Sequence, residues 1–294
     1  MRLARRRLLA GLAAALAAGS AAARPRRLPP AGPMPRPLPD PTVAEVTEAG
    51  VPLRLWLPAS LHERSRAVAF SHGANANARK YDELSVRLAA EGHAVAAVLH
   101  RDSPDHPSGT APAREEGWRL RLAEMRAALA HLERRVPGRP MVAAGHSYGA
   151  LVAQALGGAR TEWADDGGPV PDPRVARILA FSPPGPLPGF VTAGGFARIA
   201  RPMLVVTGTA DVLPVIAPTW EAHRASFEAA TVSPRWLWVG DGVDHYFGNR
   251  IGRPERADDA DQAALFEAAV ETALAFLEER APPPQPSGAT LTMA

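Results

Sequence analysis

Cysteine is absent from the 294 residues. Disulfide staples, thiolate-ligated zinc, iron–sulfur clusters and a thiol nucleophile are therefore excluded. Lysine is nearly absent too. Lys80 stands alone, and the other 32 of the 33 basic residues are arginine, a skew that goes with 31 prolines as compositional drift. Aromatic residues make up only 6% and charged residues 21%, yet 46% are hydrophobic, which excludes wholesale disorder. The length suits one large α/β domain or two small ones. The net charge of +3 is small, and the first 23 residues hold four arginines and no acid, which leaves −1 on the rest. That balance gives no electrostatic reason to hold nucleic acid or an anionic membrane.

The chain also lacks an apolar run long enough to span a bilayer, which takes about 20 residues. The run Leu8–Ala18 is shorter, follows Arg5, Arg6 and Arg7, and leads into Ala21-Ala22-Ala23. This order matches an export signal over residues 1–23. The paired arginines followed by Leu8 and Leu9 resemble a twin-arginine signal, with an ordinary secretory signal as the alternative. Either implies a bacterial protein exported to the periplasm or beyond. Residues 24–41 are Pro-rich and read as a tether, residues 42–280 as the folded domain, and residues 281–294 as a frayed tail.

Inside the domain, apolar runs alternate with amphipathic stretches. Val43–Thr47 and Val51–Leu57 flank Glu48-Ala49-Gly50 and predict a hairpin. Ala67–Ser71, Ala94–Leu99, Met141–Ala144, Val175–Phe181, Met203–Thr207 and Trp236–Val239 read as strands, the last of these closing the series. Tyr81–Ala90, Ala150–Leu156 and Trp220–Ala230 read as helices. Trp118, Leu122, Met125, Leu129 and Leu132 mark the stripe of another, and Phe266 to Leu277 that of the final one. The pattern predicts a mostly parallel central sheet with helices on both faces, and chemistry beyond the C-terminal strand ends. Only a loop separates Leu156 from Val175, so no large cap domain is expected.

Gly145-His146-Ser147-Tyr148-Gly149 sits between a predicted strand and a predicted helix. A serine on such a sharp turn has an exposed hydroxyl and a strained backbone, and glycines at 145 and 149 relieve crowding. A serine nucleophile needs a base, and the base needs an orienting carboxylate. Asp211 follows the strand Met203–Thr207, and His245 follows Trp236–Val239. Asp241 and Asp244 are rivals for the carboxylate role, Asp244 a poor one because adjacent side chains diverge. His223 and His131 fall in helices, and His62 and His106 in loops outside this order. The tetrahedral intermediate needs two N–H donors. These are expected from Tyr148 and, in the turn Ser71-His72-Gly73-Ala74, from Ala74. His72 and His146 read as braces of the two turns. Asn75 and Asn77 orient the loop or cap the next helix. The Pro-rich stretch Arg101–Pro112 reads as a pocket wall or plain surface.

Five segments together resemble the alpha/beta-hydrolases, most closely a dienelactone-hydrolase-like and platelet-activating-factor-acetylhydrolase-like branch. They are Phe70-Ser71-His72-Gly73, the pentapeptide at Ser147 with Ala150, Phe181-Ser182-Pro183-Pro184-Gly185-Pro186, Thr207-Gly208-Thr209-Ala210-Asp211 and Asp244-His245-Tyr246-Phe247-Gly248. The resemblance implies an alpha/beta-hydrolase fold and hydrolysis of a small-molecule ester through an acyl-serine, without metal or organic cofactor. Polyesterases of the branch usually have an aromatic residue where this chain has Ala74 and often Met where it has Tyr148. An acyltransferase using the same triad and a non-catalytic binding protein on this fold are the alternatives.

Overall fold

A computed structural model describes residues 40–109, 111–163 and 171–294. The expected export signal and nearly all of the Pro-rich tether lie outside these residues. Nine strands form one sheet: β1 (Thr42–Glu48), β2 (Val51–Leu57), β3 (Ala67–Ser71), β4 (Ala94–Val98), β5 (Met141–His146), β6 (Val175–Phe181), β7 (Met203–Ala210), β8 (Arg235–Asp244) and β9 (Ala289–Met293). Their order is β1-β2-β4-β3-β5-β6-β7-β8-β9. The six strands from β4 to β8 pair in parallel, while β1, β2 and β9 pair antiparallel at the two ends.

Six α-helices join them: α1 (Asp82–Ala90), α2 (Arg114–Arg135), α3 (Tyr148–Leu156), α4 (Ala193–Phe196), α5 (Ala225–Ala229) and α6 (Ala260–Leu277). Strands buried on both faces read as continuous apolar runs. Here β3 and β4 are buried at every residue, and successive residues serve opposite cores. Ala67 and Ala69 meet α2 and α3 on one face, whereas Val68 and Phe70 meet α1 and α6 on the other. The parallel crossovers place the C-terminal ends of β3, β5, β7 and β8 along one rim. Among the described residues no helix is long and apolar enough to cross a membrane.

Three expectations need correction. Residues 281–294 are not a frayed tail, and Trp236–Val239 is not part of the last strand. Residues 289–293 form β9, paired with β8 from Trp236↔Met293 to Gly240↔Ala289. The prolines follow the end of α6, but β8 otherwise presents an open edge, and Thr290, Leu291 and Thr292 have the β propensity to cover it. Gln285 accepts a hydrogen bond from Trp238 Nε1 at 2.8 Å and fastens the return. The expected helix Trp220–Ala230 is also divided, into a 3₁₀ turn at Trp220–Arg224 and α5.

Deleting residues 281–294 removes the β8–β9 ladder and bares an edge. With a net stability of about 0.5–1.5 kcal/mol per hydrogen bond, a loss of roughly 2–5 kcal/mol is expected. Calorimetry would record a lowered Tm and light scattering increased association. An unchanged Tm would show that the strand is dispensable.

Candidate active site

The turn from β5 into α3 is closed by close packing. A Cβ at Gly149 would lie 2.0 Å from Ser71 O, and one at Gly145 would lie 2.3 Å from Gly149 O. Both glycines are therefore obligatory, as their spacing around Ser147 predicts. Ser147 adopts φ +54° and ψ −123°, a strained conformation for a non-glycine residue, and its N–H is tied to Phe181 O at 2.9 Å. The side chain is half-buried and faces a pocket of about 270 Å³. Among the described residues Ser147 Oγ has no hydrogen-bond partner. A larger cleft of about 570 Å³ lies along β1 and β2, away from Ser147, and its Glu45, Arg54 and Arg79 pair with one another.

Asp211 and His245 meet. His245 Nδ1 donates to Asp211 Oδ1 at 2.7 Å, which leaves Nε2 as the free ring nitrogen. Thr207 Oγ1 donates to Asp211 Oδ2 at 2.7 Å. The rival carboxylates are engaged elsewhere. Asp241 accepts from Thr209 Oγ1, and Asp244 caps the turn by accepting from the N–H groups of Tyr246 and Gly248.

His223, expected to stand apart in a helix, instead reaches the same carboxylate. Its Nε2 lies 3.0 Å from Asp211 Oδ1, off the straight line of a hydrogen bond, and its Nδ1 donates to Pro183 O at 3.0 Å. Burial alone would raise the Asp211 pKa. The His223 and His245 imidazoles outweigh that and hold it well below the usual carboxylate range. The donor atoms of Asp211, His223 and His245 lie within 4.8 Å of one another, a set that could also hold a divalent ion.

His245 is tethered to the elbow through its backbone. A carbonyl only accepts, so the 2.8 Å contact between His146 Nε2 and His245 O puts the proton on Nε2. His146 Nδ1 must then accept the Tyr81 hydroxyl proton at 2.9 Å, while Tyr81 Oη accepts the Gly73 N–H at 2.9 Å. One directional line thus links the Gly73 turn, Ser147's neighbour and the His245 loop. Burial pushes His146 down to about 3, so it stays neutral and keeps this tautomer.

A second network lies behind the Gly73 turn. His72 Nδ1 donates to Gly73 O, and its Nε2 accepts the His100 N–H. His100 joins Glu124 Oε2 at 2.7 Å and Ser71 Oγ at 2.7 Å. This carboxylate–imidazole–hydroxyl line mimics the arrangement expected at Ser147, but Ser71 is sealed from solvent. Access to the pocket separates the two serines.

The two expected oxyanion donors both line the pocket. Among the described residues no acceptor takes the N–H of Ala74 or of Tyr148. Asn77 caps the 3₁₀ turn Ala78–Tyr81 by accepting from Lys80 N–H. Asp102 and Pro112 line the pocket, so the Pro-rich stretch is a wall.

Comparison with known proteins gives concordant results. Residues 62–166 match the family model "Serine aminopeptidase, S33". No curated protein matches. The TT1662 protein of Thermus thermophilus superposes with a TM-score of 0.55 at 20% identity, over 81% of this chain and 97% of that one. An alpha-beta serine hydrolase homologue from Coxiella burnetii does so with 0.55 at 19%, over 78% and 95%. The fold is that of the alpha/beta-hydrolases.

On this alpha/beta-hydrolase fold, the rim is packed with buried polar side chains. Arg121 and Glu124 sit on the buried face of α2 and Asp102 in the wall beside them. Sequence reasoning passed over Arg121 and Glu124, although Arg121 falls three residues after Trp118 and four before Met125, and Glu124 three after Arg121. His72, His93, His100 and His146 are fully buried, and burial lowers all four: His93 to about 4, His146 to about 3, the other two well below the ordinary range.

Two outcomes follow from these networks. Tyr81→Phe leaves the Gly73 N–H and His146 Nδ1 without a partner. A stability loss of about 2–4 kcal/mol is expected, read by denaturant unfolding; a loss below about 0.5 kcal/mol would contradict the brace. Second, the unfolded chain protonates these four imidazoles near pH 6.5 and the folded chain does not. Their stabilisation is complete above pH 6.5 and declines as pH falls toward 4, by about 1.4 kcal/mol per pH unit for each. Tm measured from pH 7.5 to 4.5 should fall steeply below 6.5, and a flat curve down to pH 5 would refute this reading.

Proposed function

We propose that this protein is an exported serine hydrolase that cleaves carboxylic esters through Ser147, His245 and Asp211. The 2.7 Å bond between His245 Nδ1 and Asp211 is the observation that carries the reading. It turns Nε2 into the base, on a loop tethered to the elbow that bears a strained serine on a pocket. Ser147 Oγ attacks the ester carbonyl carbon and yields its proton to His245 Nε2. The electron pair of the carbonyl moves onto oxygen, where the Ala74 and Tyr148 N–H groups receive it. Collapse breaks the bond to the alcohol, which leaves with the proton from Nε2. Water then attacks the acyl-serine with the same base, releasing the acid. Asp211 holds the imidazole tautomer and offsets the imidazolium charge.

The pocket supports an apolar acyl group. Tyr148 stacks on Trp118 at 5.8 Å and meets Phe190 at 5.2 Å, and Leu187 and Ile216 complete the apolar wall. The motif resemblance to the dienelactone-hydrolase-like branch points the same way, to small esters. The match to a serine aminopeptidase model raises peptide cleavage as a second reading. An aminopeptidase needs an anion for the substrate ammonium group. The pocket's carboxylate, Asp102, is already engaged by Arg121 through both oxygens, and Arg114 adds a further cation, so the ester reading is favoured. Transfer of the acyl group to an alcohol would use the same steps with the alcohol replacing water.

With 4-nitrophenyl butyrate as substrate, Ser147→Ala and His245→Ala should each lower kcat about 10⁴–10⁶-fold with the fold intact by circular dichroism. A fluorophosphonate should label the wild type at Ser147 and neither variant. Undiminished turnover by Ser147→Ala would overturn the assignment, and preferential cleavage of aminoacyl anilides would favour the peptidase reading.

A further inference from the structure

Arg121 is fully buried, on the face of α2 that packs behind the Gly73 turn. Its Nε donates to both carboxylate oxygens of Asp102, at 3.0 and 2.8 Å. One terminal nitrogen donates to His72 O at 2.6 Å and the other reaches Gly73 O at 3.4 Å. The guanidinium carbon stands 4.3 Å from the centre of the Tyr148 ring. One side chain therefore touches both turns to which the oxyanion donors belong.

The peptide geometry gives this contact a consequence. Gly73 C=O and Ala74 N–H belong to one planar, trans unit, so they point in opposite directions. Donors from Arg121 and from His72 Nδ1 pin Gly73 O on the inner side. The Ala74 N–H is thereby turned away from α2. The preceding unit is fixed in the same manner, with His72 O held by Arg121 and Gly73 N–H taken by Tyr81 Oη. A Cβ at Gly73 would stand 3.4 Å from Ser147 Cβ, so the turn lies directly against the nucleophile. A carbonyl that accepts from a cation also polarises its own N–H into a stronger donor.

We propose that Arg121 is a positioning residue for the oxyanion hole: by holding the His72 and Gly73 carbonyls and packing on Tyr148, it aims the Ala74 and Tyr148 amides at the charge that develops during ester attack. This rests on the Ser147 hydrolase reading. It makes Arg121 a determinant of transition-state stabilisation rather than of substrate binding, and it makes Asp102 the anchor that keeps the guanidinium in place. Lysine cannot replace it, because an ammonium group cannot serve a carboxylate and two carbonyls in one plane.

The test compares wild type with Arg121→Lys and Arg121→Gln, using 4-nitrophenyl acetate as substrate. Active sites are counted by fluorophosphonate titration so that misfolded protein does not enter kcat. Phenylboronic acid, whose serine adduct places an oxygen where the oxyanion forms, reports the hole directly. Loss of one oxyanion donor costs about 10²–10³-fold, so a misaimed donor is expected to lower kcat per labelled site about 10–100-fold. KM should change less than about 3-fold, and boronate affinity should fall in parallel with kcat. A merely structural role would lower the labelled fraction and Tm while leaving kcat per site and boronate affinity within about 3-fold of wild type, and that result overturns the proposal. Should both variants fail to fold, Asp102→Asn decides. Released from its anchor, the guanidinium loses its hold on the carbonyls, so kcat per site should fall at least about 5-fold at constant KM; an unchanged kcat overturns the proposal. A wild type that the fluorophosphonate does not label would remove the Ser147 reading and this inference together, whereas normal labelling with unaffected variants removes only this inference.

Discussion

The hydrogen bond from His245 Nδ1 to Asp211 decides what the rest of the rim can do. It selects the ring nitrogen that stays unprotonated, and it requires a carboxylate that remains ionised although no part of it reaches solvent. Desolvation works against that charge. Thr207, His223 and His245 counter it from three sides, each from a different element. β7 supplies the threonine, the 3₁₀ turn before α5 supplies His223, and the loop after β8 supplies His245. Displacing any one of them would remove a contact that favours the ionised carboxylate.

The same economy of placement governs the opposite side of the pocket. The Gly73 turn is held by polar groups: Tyr81 on its N–H, His72 and Arg121 on its carbonyls. Buried polar networks add little net stability because desolvation offsets their attraction. What they supply is direction. Hydrogen bonds fix the tilt of a peptide plane, which dispersion contacts between side chains do not. A buried guanidinium and a row of neutral histidines thus fit the proposed site, in which two N–H groups must point at one spot.

Much of this was legible from the sequence because it depends on local patterns. Apolar runs gave β3 and β6 to the residue, and the glycines around Ser147 announced a turn in which a Cβ would strike backbone. Ser147, Asp211 and His245 could be placed because each directly follows a strand, and parallel strands bring their ends to one rim. His223 was not legible, since a histidine in a helical turn carries no sign of the carboxylate it will meet. Arg121 and Glu124 did carry a sign, two charges on the apolar stripe of α2, but only the packed turn supplies the carbonyls and imidazole that explain them. The tail was misjudged because its prolines describe how α6 ends, whereas β9 exists through the open edge of β8, a partner some fifty residues away.

The helix α2 therefore has two tasks carried by interleaved residues of one buried face. Leu122, Met125, Leu129 and Leu132 bury it against the sheet, and its N-terminal half sends Arg121 and Glu124 to the strand ends. Packing of the apolar residues fixes where the helix lies to within the play of close-packed side chains. Arg121 and Glu124 convert that position into the orientation of the Gly73 turn, because guanidinium and carboxylate bonds have narrow distance and angle requirements. A shift of the helix along its axis would strain both at once. Rigid attachment of the Gly73 turn to a helix seated on the central strands provides the preorganisation that the proposed oxyanion hole requires, with little reorganisation left for the moment when charge would develop.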